Sequence, residues 1–255
     1  MKLSIIIPAH NEEKRIQKTL EDYGKFFSRK FKKDFEIIVV LNACTDSTLH
    51  IVRNLRKKYP QIRYLDLKKG GKGYAIIEGF KTAKGEITGF VDADDSTDAE
   101  EYFKLIKAVD VDGVIASRYI KGSVIEPKQS IKRIIVSRIF NFMIRALFLM
   151  NYKDTQCGAK VFKRNAIKAV LPSLGITHWA FDVDLLYQMK RKKFRIREYP
   201  TVWRDKEYSK LNFAKAGPSM ALSIIRLRLI HSPFRFIVRA YDMLPEGIKF
   251  RSLLK

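Results

Sequence analysis

Through the first 120 positions, apolar residues come in two alternating rhythms, short dense runs and stripes repeating every three to four residues. Leu3 to Ile7 is a dense run of the kind buried on both faces of a sheet, and Pro8 stops it. Ile16, Leu20, Tyr23 and Phe27, at i, i+4, i+7 and i+11, put one apolar stripe on a helix. Phe35 to Leu41 reads as a second strand. The loop Asn42-Ala-Cys-Thr-Asp-Ser-Thr then offers capping side chains to a helix carrying Leu49, Val52, Leu55 and Tyr59, which Pro60 ends. Ile62 to Leu67 is a third strand, followed by a helix bearing Ile76, Phe80 and Ala83, with Gly85 expected as its C-terminal cap. A fourth strand starts at Ile87 and breaks off at Asp92. Thr97 with Glu100 then makes a capping box for a helix carrying Tyr102, Phe103, Ile106 and Val109. This alternation predicts an α/β fold, a mostly parallel sheet with helices on both faces. The polar connections after the strands share one edge, where open α/β sheets bind ligands.

After Arg118 the alternation ceases. Residues 131–152 are the most apolar stretch, yet Arg133, Arg138 and Arg145 interrupt it. A spanning helix needs about 20 apolar residues with few charges, so this segment suits a helix lying in a membrane interface, with an ordinary core helix as the alternative. Met220 to Ile230, with Arg226 and Arg228, and Pro233 to Ala240 repeat the mixture. The expected organisation is a catalytic domain over 1–217 that includes the 131–152 helix, and a basic amphipathic membrane-association segment over 218–255.

Charge narrows the partners. With 50 Lys and Arg against 27 Asp and Glu, the formal net charge is +23, which favours an acidic partner: nucleic acid, an anionic membrane surface or phosphorylated ligands. Cys44 and Cys157 make no disulfide framework and no metal-ligand spacing. The chain opens at once on a strand, without a signal-peptide pattern. Together these predict a protein in the cytosol or on the cytoplasmic face of a membrane, peripheral or monotopic there. Oligomeric state stays open, since the segment from 218 onward suits a second subunit as well as a bilayer.

Val91-Asp-Ala-Asp-Asp carries the strongest chemical signal. Asp92 and Asp94, two residues apart at a strand's carboxyl end, are hard oxygen ligands able to share Mg2+ or Mn2+ with a diphosphate. A helix start explains Thr97 and Glu100 but not this pair, which repels itself without a cation. Lys68-Lys-Gly-Gly-Lys-Gly lacks the spacing of a P-loop or a dinucleotide fingerprint. It still sets Lys72 between glycines at a helix start, where backbone N–H groups and a cation can meet phosphate, a solvated turn being the alternative.

These blocks, with Ser4-Ile-Ile-Ile-Pro-Ala-His-Asn-Glu-Glu, Gly71-Lys-Gly-Tyr-Ala, Ala116-Ser-Arg-Tyr, Asp154-Thr-Gln-Cys-Gly-Ala-Lys-Val-Phe and Trp179-Ala-Phe-Asp-Val-Asp-Leu-Leu-Tyr, resemble inverting family 2 glycosyltransferases of the GT-A fold. Within that family the chain is similar to the polyprenyl-phosphate branch of dolichyl-phosphate β-glucosyltransferases and mannose synthases, and the later blocks, with Trp203 and Ser209-Lys-Leu, resemble the glucosyl side. The resemblance implies Pro8, Ala9, Asn11 and Glu12 around the nucleotide base and ribose and Lys72 beside its phosphates. It puts Asp92 on the nucleoside side, Asp94 on the metal, Arg118 on phosphate, and Arg133 with Ser137 on the acceptor phosphate. The i, i+4 spacing independently sets Arg133 and Ser137 on one helix face. Where family members often carry Asp-Asp-Gly-Ser, this chain has Leu41-Asn-Ala-Cys, leaving Asn42 to bond ribose or base and the choice of uridine or guanosine open.

Asp182 and Asp184 stand where many family members hold a catalytic base. A lipid monophosphate is already ionised and needs none, so both are read as organising the acceptor side, holding Arg or the sugar hydroxyls. Cys157 and His178 read as packing and hydrogen-bonding residues, and Trp179 and Phe181 as core residues or as rings stacked near the sugar. The function implied is transfer of a hexose from a nucleotide-diphosphate sugar, UDP-glucose foremost, to a polyprenyl (dolichyl) phosphate. The alternatives are a GDP-mannose donor or a soluble or glycan acceptor. Nucleic-acid binding leaves the acidic strand end unexplained.

Overall fold

The computed structural model describes residues 1–127, 131–175, 180–204 and 213–243, without the side chains of 131–133 and 213–216. The four dense apolar runs form β1 (Leu3–Ala9), β2 (Phe35–Asn42), β3 (Ile62–Leu67) and β4 (Ile87–Phe90). β1 pairs in parallel with β2 on one side and β4 on the other, and β2 with β3. Between and after them run α1 (Ile16–Phe31), α2 (Thr48–Lys58), α3 (Lys72–Thr82) and α4 (Ala99–Lys107). The stripe on α1 is buried as its spacing requires: Ile16, Leu20, Tyr23 and Phe27 are fully enclosed.

Alternating strand residues build two cores. Leu3, Ile5, Ile7, Ile37 and Val39 pack with α1, α2 and α4, while Ile6, Ile38 and Val40 pack with α3 on the opposite face. Helices therefore cover both faces of the sheet. Three local expectations are corrected: β1 runs on through Pro8 to Ala9 instead of stopping before it, and two more concern helix ends. The α3 backbone turns extended at Ala83, so Gly85 is no cap; a Cβ there would lie 2.4 Å from the Ser4 nitrogen, and the glycine is set by how closely β1 passes. The N-cap of α4 is Asp98, whose Oδ1 accepts from the Glu101 N–H at 2.8 Å. The cap thus sits one residue later than the Thr97–Glu100 box, an aspartate being at least as good a cap as a threonine.

The second half adds β5 (Gly113–Ser117), β6 (Val124–Glu126), α5 (Ile131–Phe148), β7 (Lys160–Lys163), α6 (Arg164–Val170), α7 (Phe181–Arg191), β8 (Ile196–Pro200), β9 (Val202–Arg204), α8 (Phe213–Ile230) and α9 (Arg235–Met243). The main sheet runs β3-β2-β1-β4-β7-β5-β8, and β6 pairs with β9 separately. β7, which the apolar pattern did not announce, slots antiparallel between β4 and β5. The order reverses at β1 and β4, and their carboxyl ends open the crevice where such sheets bind ligands.

α5, α8 and α9 form a group of their own. Ile144 and Phe148 of α5 are buried, whereas Ile139 and Phe142 are 65% and 71% exposed. Phe236 and Ile237 of α9 are also exposed. Arg228 donates from Nε to the Leu147 carbonyl at 2.8 Å, and Arg226 clasps Asp242 through both guanidinium nitrogens at 2.8 and 2.7 Å. α8 runs across position 217 and plants Ile224 and Leu227 in the core shared with α3 and α7. Among the described residues no helix is long and apolar enough to cross a membrane.

Candidate active site

The loops after β1 and β2 are laced together. The Asn11 Oδ1 accepts from the Thr45 N–H at 2.8 Å, the Glu12 N–H donates to Thr48 Oγ1 at 2.8 Å, and Glu12 takes a bond from Arg15 Nε at 2.8 Å. Asn11 has a φ of 53°, the left-handed region that asparagine tolerates better than most residues. Asn42 is buried. Its Nδ2 donates to the Ala9 carbonyl at 2.9 Å and its Oδ1 accepts from the Gly71 N–H at 3.0 Å. This amide therefore locks the end of β1 to the start of α3. Pro8 and Ala9 are buried at the β1 tip.

Beside that lock lies the charged cluster. Lys72, the first residue of α3, reaches the Asp92 Oδ1 at 2.6 Å, both side chains partly exposed. Gly158 backs Asp92 so closely that a Cβ there would fall 1.9 Å from Oδ2. Asp94 follows, its Oδ1 tied back to the Ser96 N–H at 3.0 Å. Behind them Lys160, fully buried, donates to Asp182 Oδ1 at 2.5 Å and to the Cys157 carbonyl at 2.7 Å. Burial alone would lower the Lys72 ammonium, but Asp92, Asp182 and Asp94 outweigh it and hold the charge. Burial lifts the Asp92 carboxyl above its usual range; Asp94 and Asp182 add to this, and Lys72 only partly offsets it. At Asp182 the order reverses: Lys160 and Lys72 overcome burial and keep the carboxyl low.

Three carboxylates thus crowd two ammonium groups, and the crowding is felt at Asp92. Among the described residues no three His, Cys, Asp or Glu side chains form a ready metal cage. Two carboxylates at a strand tip nevertheless fit a Mg2+ or Mn2+ site, because such ions take one or two carboxylates and complete their shell with substrate phosphates and water.

Across the cleft, Arg118 follows β5 and grips Asp154 in a bidentate pair, Nε to Oδ2 at 2.7 Å and Nη2 to Oδ1 at 3.0 Å. Asp154 is buried and held low, burial being overcome by Arg118. No protein hydrogen bond uses Arg118 Nη1 among the described residues. The guanidinium lies 5.3 Å from the Trp203 ring centre and 5.4 Å from that of Tyr119, over which Arg138 of α5 also sits at 5.4 Å. Ser137 is partly buried on α5, while the Arg133 side chain lies outside the described residues, as do His178 and Trp179.

Of the predicted residues, Lys72, Asp92, Asp94 and Asp182 come together. Asp184 does not join them. Fully buried, it accepts from the Gly175 N–H at 2.9 Å and from Gln188 at 3.1 Å and meets His231 Nε2 at 3.1 Å, tying α7 to the end of α8. The Cys157 thiol, buried and near Asp154, is pushed up to about 12, which removes it as a nucleophile. Lys160 was missed because a charged residue in a short apolar run argues against burial. Only the Asp-Thr-Gln-Cys-Gly-Ala-Lys block hinted at it.

Comparisons with known proteins identify the family and the fold. Residues 4–171 match the family described as Glycosyl transferase family 2. The chain is similar to a dolichyl-phosphate beta-glucosyltransferase of Dictyostelium discoideum, 34% identical over 250 residues that cover 92% of this chain and 75% of that protein. It is also similar to the Homo sapiens protein of the same name, 31% identical over 252 residues, 91% and 77% of the two chains. A crystal structure of glucosyl-3-phosphoglycerate synthase from Mycobacterium tuberculosis, with Mn2+, uridine-diphosphate and phosphoglyceric acid, shares the fold. Its TM-score is 0.65 at 16% identity, over 89% of this chain and 77% of that one.

Proposed function

Given that the chain belongs to glycosyl transferase family 2 and has the GT-A fold, we propose that it moves glucose from UDP-glucose to a polyprenyl (dolichyl) phosphate, with inversion, at the cytoplasmic face of a membrane. The curated relatives named for that reaction support the sugar and the acceptor. In this reading the Pro8–Glu12 loop holds the nucleoside, with Asn42 fixing that loop's position from behind. Lys72 and the N–H groups at the start of α3 hold the diphosphate, where the helix dipole favours negative charge. Mg2+ or Mn2+, held by Asp94 and Asp92, supplies charge neutralisation for the departing diphosphate when bound.

The acceptor phosphate is already ionised and attacks without losing a proton, so the chain's task is to place it. Arg118 Nη1, Arg133 and Ser137 are the groups for that. The fixed Arg118–Asp154 pair holds the guanidinium plane still, which favours a near-attack geometry. One observation carries the acceptor half: the exposed apolar face of α5 runs directly into Arg118 through the shared Tyr119 ring. A lipid tail on that face brings its phosphate to the cleft, and the basic surface favours an anionic leaflet.

The test is incubation of purified protein with UDP-glucose, Mn2+ and vesicles holding a polyprenyl phosphate, with product analysis by mass spectrometry. GDP-mannose and a soluble sugar acceptor serve as parallel arms. A lipid-phosphate glucose product is expected. Transfer only to a soluble acceptor, or only from GDP-mannose, overturns the reading.

A further inference from the structure

Lys160 opens β7 opposite Phe90 of β4 and is fully buried. Its ammonium lies 5.2 Å from the centre of the Phe90 ring and donates to Asp182 and to the Cys157 carbonyl. Stability does not account for it, because an apolar side chain at such a place is generally as stable as a buried ion pair, or more so. What the lysine fixes is Asp182. That residue lies in the first turn of α7, which abuts the first turn of α3 so tightly that a Cβ on Gly73 would fall 2.7 Å from the Phe181 Cβ. Lys160 engages one Asp182 oxygen. The other takes no hydrogen bond among the described residues and is not sealed from the cleft, the side chain keeping 10% exposure.

We infer that Lys160 is a positioning residue: from inside the fold it holds Asp182 rotationally fixed so that the outer oxygen accepts a hydrogen bond from a hydroxyl of the donor's hexose. The inference rests on the nucleotide-hexose donor proposed above. A hexose attached to a diphosphate held at Lys72 meets Asp182 as the adjoining acceptor, and a carboxylate that cannot swing gives that contact a fixed direction.

The test needs no transfer. Calorimetry with Mn2+, first with UDP-glucose and then with UDP, reads the hexose contact as a ratio of two Kd values. In K160M the Kd for UDP-glucose should rise about tenfold, the scale of one charge-assisted hydrogen bond, while that for UDP stays within about twofold. The acid limb of UDP-glucose binding should move to higher pH, since Asp182 loses one of the two cations that hold it low. K160M/D182L, which removes both charges and the acceptor oxygens at 182, guards against a folding defect. It should melt near wild type and still lack the hexose contact, without the shifted limb. Equal weakening of UDP and UDP-glucose in K160M, or a double variant with the wild-type ratio, overturns the inference. A wild-type protein that glucosylates no lipid overturns the proposed function and leaves this ratio readable.

Discussion

The two halves of the chain use apolar residues in opposite ways. In the first, the strand runs and helix stripes vanish into two cores: every residue of β1 and β2 is buried, and the loops at their ends are bound to one another by side-chain bonds. In the second, α5 and α9 keep Ile139, Phe142, Phe236 and Ile237 outside, although the helices beneath them are anchored through Ile144, Phe148, Ile224 and Val238. A small fold can close its core and still leave a large apolar face only where something else covers that face. The contrast separates a half that encloses its apolar residues and holds charge from a half that, in the proposed function, meets lipid.

Changes at the strand tip should break the first half most severely. Asp94→Ala is expected to lower kcat by about a thousandfold or more, since charge stabilisation at a leaving group is often the largest single contribution to catalysis. Steady-state kinetics with UDP-glucose checks it, full turnover being the contrary result. Because Asp92 is held above its usual range even with Lys72 at 2.6 Å, its carboxylate is costly in the fold until a metal ion joins it. The rise in Tm that Mn2+ gives should therefore fade on acidification at a pH above about 3.9, the ordinary aspartate value.

Next in size is Asp154→Ala. It strands the Arg118 guanidinium in a buried setting, for a loss of about 3–5 kcal/mol in urea unfolding. The pH dependence follows from its sign: a carboxyl held low contributes stability above the unfolded aspartate value, and this is lost as pH falls through the folded one. In the second half, Phe142→Glu should weaken binding to anionic vesicles by roughly ten- to a hundredfold, from about 1.5–3 kcal/mol of lost side-chain burial. UDP affinity and Tm should not move, and a changed UDP affinity would show that the halves are not separable. The smallest effect is expected from His231→Ala, which unties the end of α8 from Asp184. A loss of about 1 kcal/mol is predicted, read as faster proteolysis of the C-terminal helices.

The same contrast explains what could be read beforehand. β1 to β4, the buried stripe of α1 and the Asp92–Lys72 cluster were legible because strand burial and the strand-tip edge follow from local pattern. β7 was not: four residues with lysine at each end give no periodicity, and its place between β4 and β5 is set only by pairing with distant strands. Arg118 was singled out, yet its grip on Asp154 joins positions 36 apart. Asp182 and Asp184 looked equivalent in sequence. Two residues apart in the first turn of α7, they lie on opposite faces of the helix, one meeting Lys160 and the other His231.

Anomalous diffraction at the manganese edge, from crystals holding Mn2+ and UDP-glucose, tests the centre of this account. One peak is expected at the β4 tip, bonded at about 2.0–2.3 Å to Asp94 and to diphosphate oxygens, with Lys72 on the same diphosphate. A nucleotide bound with no peak there, its phosphates turned away from both aspartates, would contradict it.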